Sequence, residues 1–308
     1  MTFSDTSTKR RPIQAITPLA QFHPPEAQLG LFNIRFGIAA TAPFRGPAAY
    51  GESTNDFWNP YSRDDGLGGY KALGSVEPIL DATGTPTQAG ITVQNAPGAW
   101  ASGASHPLMA IYLYPLGGTP RITLTATNLP TGYYDAYLYG HGGPGDAYNT
   151  AFSVESGPMV HGPRPTGTNS TWQNPAWIEG QQFVRFTNVF ISRKDPLVIH
   201  ADRDAQNIPS LNAIQLVRRT ADRFVVHTPS LAFRGTLEVR SQTDVGVVLR
   251  YVLDGGPVST NSPLLAPILS ITNTIQLTVQ AFEGGTPLGE VVRRDYVLVT
   301  SFNDEISW

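Results

Sequence analysis

From Arg121 to Thr127 the chain alternates strictly: Ile122, Leu124 and Ala126 are apolar, and Thr123, Thr125 and Thr127 between them are polar. Successive side chains of a strand point to opposite faces, so this segment reads as a half-buried strand with one face on a core. Leu129-Pro130-Thr131-Gly132 breaks the pattern, residues 133–139 resume it, and a glycine-rich loop follows over 140–145. The two segments read as an antiparallel pair joined by that turn. A chain built on such strands carries function on its loops rather than in its core.

The pattern recurs. Residues 31–36, 91–94, 109–114, 150–154, 182–190, 197–200 and 212–217 are further strand candidates. The 30 Gly and 26 Pro are spread along the chain and interrupt nearly every window a helix would need. About eight or nine strands with Gly, Pro and Asn turns predict a jelly-roll-type sandwich. Between Phe36 and Gly90 lies a long irregular stretch holding Phe57-Trp58-Asn59-Pro60-Tyr61 and Asp64-Asp65-Gly66. A loop of that length implies an excursion with its own packing or a function. Arg218-Arg219-Thr220-Ala221-Asp222-Arg223 is a polar break. Beyond it Leu237 and Val239, then Val247, Leu249, Tyr251 and Leu253, then Ile275, Leu277, Val279 and Ala281 alternate, and 291–299 close the chain's last apolar run. That second set predicts a smaller immunoglobulin-like sandwich. The expected architecture is therefore all-β: an extended arm over 1–29, a jelly-roll domain over 30–219 and an Ig-like domain over 220–308.

Composition narrows the partners. Net charge is -3 and only 15% of residues are charged, against roughly 25% in ordinary soluble domains. No basic stripe exists to neutralise phosphates, so nucleic acid is not an expected partner. Lys9-Arg10-Arg11 sits in a polar, proline-bearing segment and reads as a solvated terminus. The chain has no cysteine, which excludes disulfides and thiolate metal sites. No apolar run reaches the length of a membrane span, and no secretory leader is visible after the polar residues 1–9. The expectation is a leader already processed away, or a protein that leaves its cell within a virus particle released by lysis. The arm is expected to grip a neighbouring chain, either a copy of this one or another virion or surface protein.

Leu249-Arg250-Tyr251-Val252-Leu253-Asp254-Gly255, Ser259, Ser262, Pro267-Ile268, Thr274-Ile275 and Tyr296 together make residues 225–300 resemble the chitobiase/β-hexosaminidase C-terminal Ig-like module. Leu264-Leu265 stand where members of that family often have an aromatic residue. The resemblance implies a spacer in extracellular, glycan-related proteins. Over 31–218, Asp56 to Tyr61, Val93 to Trp100, Met109 to Pro115, Asn128-Leu129-Pro130 and Tyr137-Leu138-Tyr139-Gly140-His141-Gly142 are similar to a repeated domain of bacterial surface proteins. Its closing strand, Leu211-Asn212-Ala213-Ile214-Gln215-Leu216, is similar to that of malectin-like and galactose-binding-like carbohydrate modules. That likeness implies a sugar-binding sandwich and carries no catalytic chemistry.

Trp58, Tyr61, Trp100, Trp172 and Trp177 all lie near Pro, Gly or Asn, hence on loops. Flat aromatic faces bind sugars when amides and carboxylates supply hydroxyl partners, and Asp56, Asn59, Asn95 and Asn174 are candidates for that role. The competing reading is that each aromatic pins a loop to the sandwich. His141 with Asp146 could form an acid/base pair, but the surrounding glycines fit a surface loop better, and no nucleophile elbow accompanies them. The candidate glycan contacts are thus Trp58, Tyr61, Trp100, His141, Asp146 and Trp172. No histidines stand at metal-ligand spacing. Asp202-Arg203-Asp204-Ala205-Gln206-Asn207 and Asp64-Asp65-Gly66 have oxygen ligands at calcium-loop spacing without the rest of an EF-hand, so structural calcium is the one cofactor considered.

The expected function is a non-catalytic structural or interaction protein on an outer surface. A phage-like virion component with weak glycan adhesion comes first, a secreted bacterial surface carbohydrate-binding or adhesin module second, and a carbohydrate-active enzyme third.

Overall fold

A computed structural model of the chain describes residues 30–37, 44–62, 73–115, 121–143, 148–168, 177–204, 208–227 and 230–300. The arm assigned to 1–29 lies outside them. Among the described residues all regular structure is β, as the period-two pattern requires.

Thirteen strands build the first sandwich. They are β1 (Gly30–Gly37), β2 (Asn59–Ser62), β3 (Leu73–Val76), β4 (Gly90–Gln94), β5 (Gly98–Ala101), β6 (Ile111–Tyr114), β7 (Arg121–Thr127), β8 (Gly132–Tyr139), β9 (Thr150–Ser156), β10 (Met159–Pro165), β11 (Val184–Ile191), β12 (Leu197–Arg203) and β13 (Ala213–Arg218). One sheet has the order β11-β8-β13-β1-β2, the facing sheet β10-β9-β12-β7-β4-β3, and β5 pairs with β6 alone. From β7 onward the chain crosses repeatedly between the two large sheets, as in a jelly roll. Phe32, Ile34, Phe36, Tyr134, Leu138, Ile214 and Leu216 of one sheet meet Ile91, Val93, Ile122, Leu124, Phe152, Val154 and Ile199 of the other in a single buried cluster.

The pairing expected between β7 and β8 does not form. β7 bonds to β12 and β4, whereas β8 bonds to β13 and β11 in the opposite sheet. The turn between them is a crossover. Alternation reports which face of a strand is buried, not which strand lies beside it. β7 is buried on one face only, but nearly every residue of β8 is buried, which fits a central strand covered on both sides.

The second sandwich comprises β14 (Phe224–His227), β15 (Ala232–Phe233), β16 (Leu237–Thr243), β17 (Val247–Val252), β18 (Ile268–Ile271), β19 (Ile275–Glu283) and β20 (Thr286–Leu298). A three-stranded sheet, β14-β16-β18, faces a four-stranded sheet, β15-β20-β19-β17, in which only β15 runs parallel to its neighbour. Seven strands divided this way make an immunoglobulin-like sandwich. Its core gathers Leu237, Val239, Leu249, Leu277, Val279 and Tyr296. The β19–β20 hairpin turns on Gly284 and Gly285, whose φ values of 56° and 84° suit the tight turn that matches strand twist.

The polar break at 218–223 is not a free linker. Arg219 N donates to Tyr133 O at 2.7 Å, Tyr133 N donates to Thr220 Oγ1 at 3.3 Å, and the Arg218 guanidinium reaches Thr131 O. Further bonds cross the joint: Thr131 Oγ1 to Asp244 Oδ1 at 2.7 Å, Ser192 Oγ to Thr243 O at 2.7 Å and Arg240 Nη1 to Pro158 O at 2.7 Å.

Candidate functional site

The outer face of the five-stranded sheet holds a dense polar and aromatic layer. Asp135, Tyr137 and Tyr139 point outward from β8, because Tyr134, Ala136 and Leu138 point into the core. In register beside them stand Val217, Gln215 and Ala213 on β13, then Leu31, Asn33 and Arg35 on β1. Residues 44–58 fold over this face as a roof, and Ala48, Trp58, Tyr137, Tyr139 and Phe183 are buried together beneath it. Gln215 stitches roof to sheet. Its Nε2 donates to Asn33 Oδ1 and Tyr50 O, each at 2.9 Å, and its Oε1 accepts the Tyr139 hydroxyl. The Tyr139 oxygen accepts Ala49 N–H at 3.0 Å. A buried network satisfied at every member is rigid, because each broken bond would strand a polar group away from water.

Several residues singled out in the sequence are components of this roof. Trp58 is 0% exposed, its Nε1 donates to Gly46 O at 2.9 Å, and its ring lies 5.9 Å from Phe44. Tyr61 is buried against Phe36, and burial pushes its hydroxyl pKa up to about 12. Trp58 pins the roof, whereas Tyr61 lies on β2 in the core between the sheets, and neither offers a face to a sugar. Asp56 accepts Glu52 N–H at 2.7 Å and Ser53 N–H at 2.9 Å and shapes the roof's turn. Asn59 donates to Asn33 O and Leu80 O and accepts Leu80 N–H, which leaves its amide engaged with backbone. Asp146, Trp172 and Asn174 lie outside the described residues.

His141 is also corrected from a surface residue to an interior one. It is 1% exposed, and its Nε2 contacts Gln181 O. Burial lowers its pKa to about 4, against a smaller opposing effect of the Gln181 carbonyl. The ring is therefore neutral at physiological pH and enclosed by backbone, which is poor geometry for reaching a substrate proton. Asp202 pairs with Arg121 at 2.7 Å, and Asp204 accepts the Asn149 amide at 2.8 Å. These two carboxylates are thus engaged with separate partners. No cluster of three acidic or histidine side chains suited to a metal occurs among the described residues.

Trp100 behaves differently. It stands on the β5–β6 hairpin opposite Tyr112 with 59% of its surface exposed. Gly98 makes the hairpin's packing feasible, since a Cβ there would lie 2.4 Å from the Tyr114 ring. Phe44, His106 and Trp177 form a half-buried aromatic group at one end of the roof, with the His106 ring 5.0 Å from Trp177 and 5.8 Å from Phe44.

A cleft of about 520 Å³ opens between the two sandwiches. Gly157, Pro158, Lys194 and Asp195 line it from the first, and Gln242, Val248, Leu249, Leu264 and Pro267 line it from the second. Gln242 is buried there. Its Nε2 lies 3.3 Å from Ser156 Oγ and 3.4 Å from Asp195 Oδ2. No local pattern predicts this cleft, because its walls come from segments far apart in the chain.

No family model matches the chain, and no curated protein matches it. Among solved structures it is similar to a β-glucuronidase from Faecalibacterium prausnitzii at 9% identity and a TM-score of 0.16, covering 87% of this chain and 47% of that one. It is similar to a β-1,2-glucanase from Parabacteroides distasonis at 10% identity and a TM-score of 0.17, covering 68% and 37%. It is also similar to the adhesin domain of Epf from Streptococcus pyogenes at 7% identity and a TM-score of 0.17, covering 88% and 92%. The chain thus spans less than half the length of the two enzymes. Superpositions this loose carry no functional inference.

Proposed function

We propose that this protein is a non-catalytic structural and interaction protein displayed on an outer surface, foremost a component of a virus-like particle such as a capsid decoration or tail protein, with weak glycan contact through exposed loops. The observation that carries this reading is the uneven distribution of exposed apolar side chains. Seven of the ten large hydrophobic residues that stand exposed among the described residues belong to the second, smaller sandwich. Leu264, 60% exposed, and Val248 line the inter-sandwich cleft, and Ile268 stands exposed at the start of β18, next to the cleft residue Pro267. Clustered apolar surface of this kind marks contact with another protein. The rigid joint between the sandwiches supports a spacer role, and the enclosure of His141 argues against acid/base chemistry there.

A bacterial surface adhesin is the second reading, favoured by the exposed ring of Trp100. The resemblances of the two halves to carbohydrate-binding and Ig-like modules suit either setting.

Sedimentation velocity over a concentration series tests the assembly claim on the full chain. Self-association is expected, weakened by Val248→Ser with Leu264→Ser and weakened further by removal of residues 1–29. A monomer at every concentration, indifferent to both changes, overturns the assembly reading.

A further inference from the structure

We infer that Arg35, His106 and Trp177 form a binding site for an acidic sugar, a pyranose bearing a carboxylate, at the end of the roofed layer. The inference rests on the glycan-contact part of the function proposed above and names the ligand class and the residues.

One charge on this face is unbalanced. Arg35 points outward from β1 and is half-buried, yet it makes no hydrogen bond or ion pair among the described residues. Arginine is seldom buried without a partner, because a charge withdrawn from water needs one. The other two arginines of this layer obey that rule: Arg185 and Arg219 both bond to the buried carboxylate of Asp135, at 2.8 Å and 2.9 Å. Arg35 has no such carboxylate. Burial lowers its pKa, but a guanidinium stays protonated at any physiological pH. Among the described residues the site therefore holds a cation and no anion.

His106 adds a donor without adding charge. Its Nδ1 accepts Leu108 N–H at 3.2 Å, which puts the proton of the neutral ring on Nε2. Burial first, and the nearby Arg35 second, push its pKa down, so the ring stays neutral. A guanidinium fork beside an imidazole N–H is a set of donors alone, and a carboxylate is the group that accepts from both.

The surrounding rings select a sugar over a bare anion. Ala213 lies in register between Tyr139 and Arg35, and its small side chain separates them on the face. Trp177 meets Tyr139 at 5.4 Å on one side and His106 at 5.0 Å on the other, and so links the aromatic half of the layer to the cationic half. Its φ of 49° is rare for a bulky residue, and conformations of that kind concentrate at binding sites. Apolar ring surface beside a few fixed polar groups suits the C–H face and the charged arm of a uronate.

The test uses the full chain and calorimetric titration with short oligogalacturonides, with neutral galacto-oligosaccharides of the same length, and with a glutamate-rich peptide. The uronide should bind best. Arg35→Met should weaken uronide binding roughly ten- to hundredfold while the denaturation midpoint holds or rises, since the substitution removes an unpaired charge. Arg35→Lys should retain part of the affinity. Equal affinity for acidic and neutral sugars, an Arg35→Met variant that binds as well as wild type, or a preference for the peptide overturns the inference. Neutral sugar bound through Trp100, and lost in Trp100→Ala, also overturns it but leaves the glycan-contact reading standing. Binding of no sugar at all removes both.

Discussion

In the first sandwich the outer face of the five-stranded sheet lies beneath residues 44–58, with Trp58, Tyr137 and Tyr139 buried there. In the second, Val248, Leu264 and Ile268 stand in solvent. Both regions are rich in large apolar side chains, and the difference lies in whether the chain covers them itself. The first sandwich spends an excursion of its own length on a roof, which turns a sheet face into a second core and leaves Arg35 and His106 at the margin. In the second, residues 263–265 bond along the edge of β17 but leave Val248 and Leu264 exposed. Internal coverage builds the platform of the proposed site; exposed apolar side chains form the surface proposed to meet another chain.

Trp58→Ala should break that contrast most severely. It removes a fully buried indole and its hydrogen bond to Gly46 O, and losses of about 3–5 kcal/mol are usual for such truncations. Trp100→Ala, on an exposed hairpin, should change stability by less than about 0.5 kcal/mol. Urea unfolding followed by circular dichroism measures both. Similar losses for the two variants would mean that the roof contributes no core of its own.

The second strongest effect is expected at the joint between the sandwiches. Gly132 has a φ of 154°, and a Cβ there would lie 1.9 Å from Thr220 O, a backbone atom with little room to retreat. Gly132→Ala should cost about 1–3 kcal/mol through overpacking and should loosen the joint. Hydrogen exchange should then rise at the amides of Tyr133 and Arg219, which bond across it. Unchanged exchange at those two amides would show that the joint does not depend on the close approach.

Much of this fold was legible in the sequence because period-two alternation survives wherever one face of a strand is wet. β1, β4, β7, β12 and the long strands of the second sandwich announce themselves that way. β2, β3 and β5 do not, because they are only four residues long, and prolines disguise β2 (Pro60) and the longer β10 (Pro163 and Pro165). β8 was legible as a strand over 133–139, but its neighbours were not, since alternation does not say which strand lies beside it. The site was harder. Trp58 and Trp100 sit in similar Pro- and Gly-bearing contexts, and only the fold shows that one is roofed and the other is not. Arg35 follows Ile34 and precedes Phe36, a strand pattern whose polar position normally means solvent. Its half-burial depends on a loop whose course no local pattern encodes. The length of the irregular stretch before Gly90 was the one available signal, and it implied packing without saying onto what.

The smallest effect is expected at Asp244, where the joint can be probed by pH. Burial alone would raise this carboxyl's pKa, but hydrogen bonds from Thr131, Val245 N–H and Arg223 outweigh it and the pKa is lowered. A carboxylate held below its unfolded value of about 3.9 contributes stability that is fully present above that pH and is lost as pH falls through the lowered folded value. Asp244→Asn should therefore cost on the order of 1 kcal/mol near neutrality, the scale of one or two weakened hydrogen bonds, and the gap to wild type should close in acid. Denaturant midpoints taken from pH 7 down to pH 2 measure it. A gap that stays constant across that range would mean that packing at the joint, and not the charge on Asp244, binds the roofed sandwich to the open one.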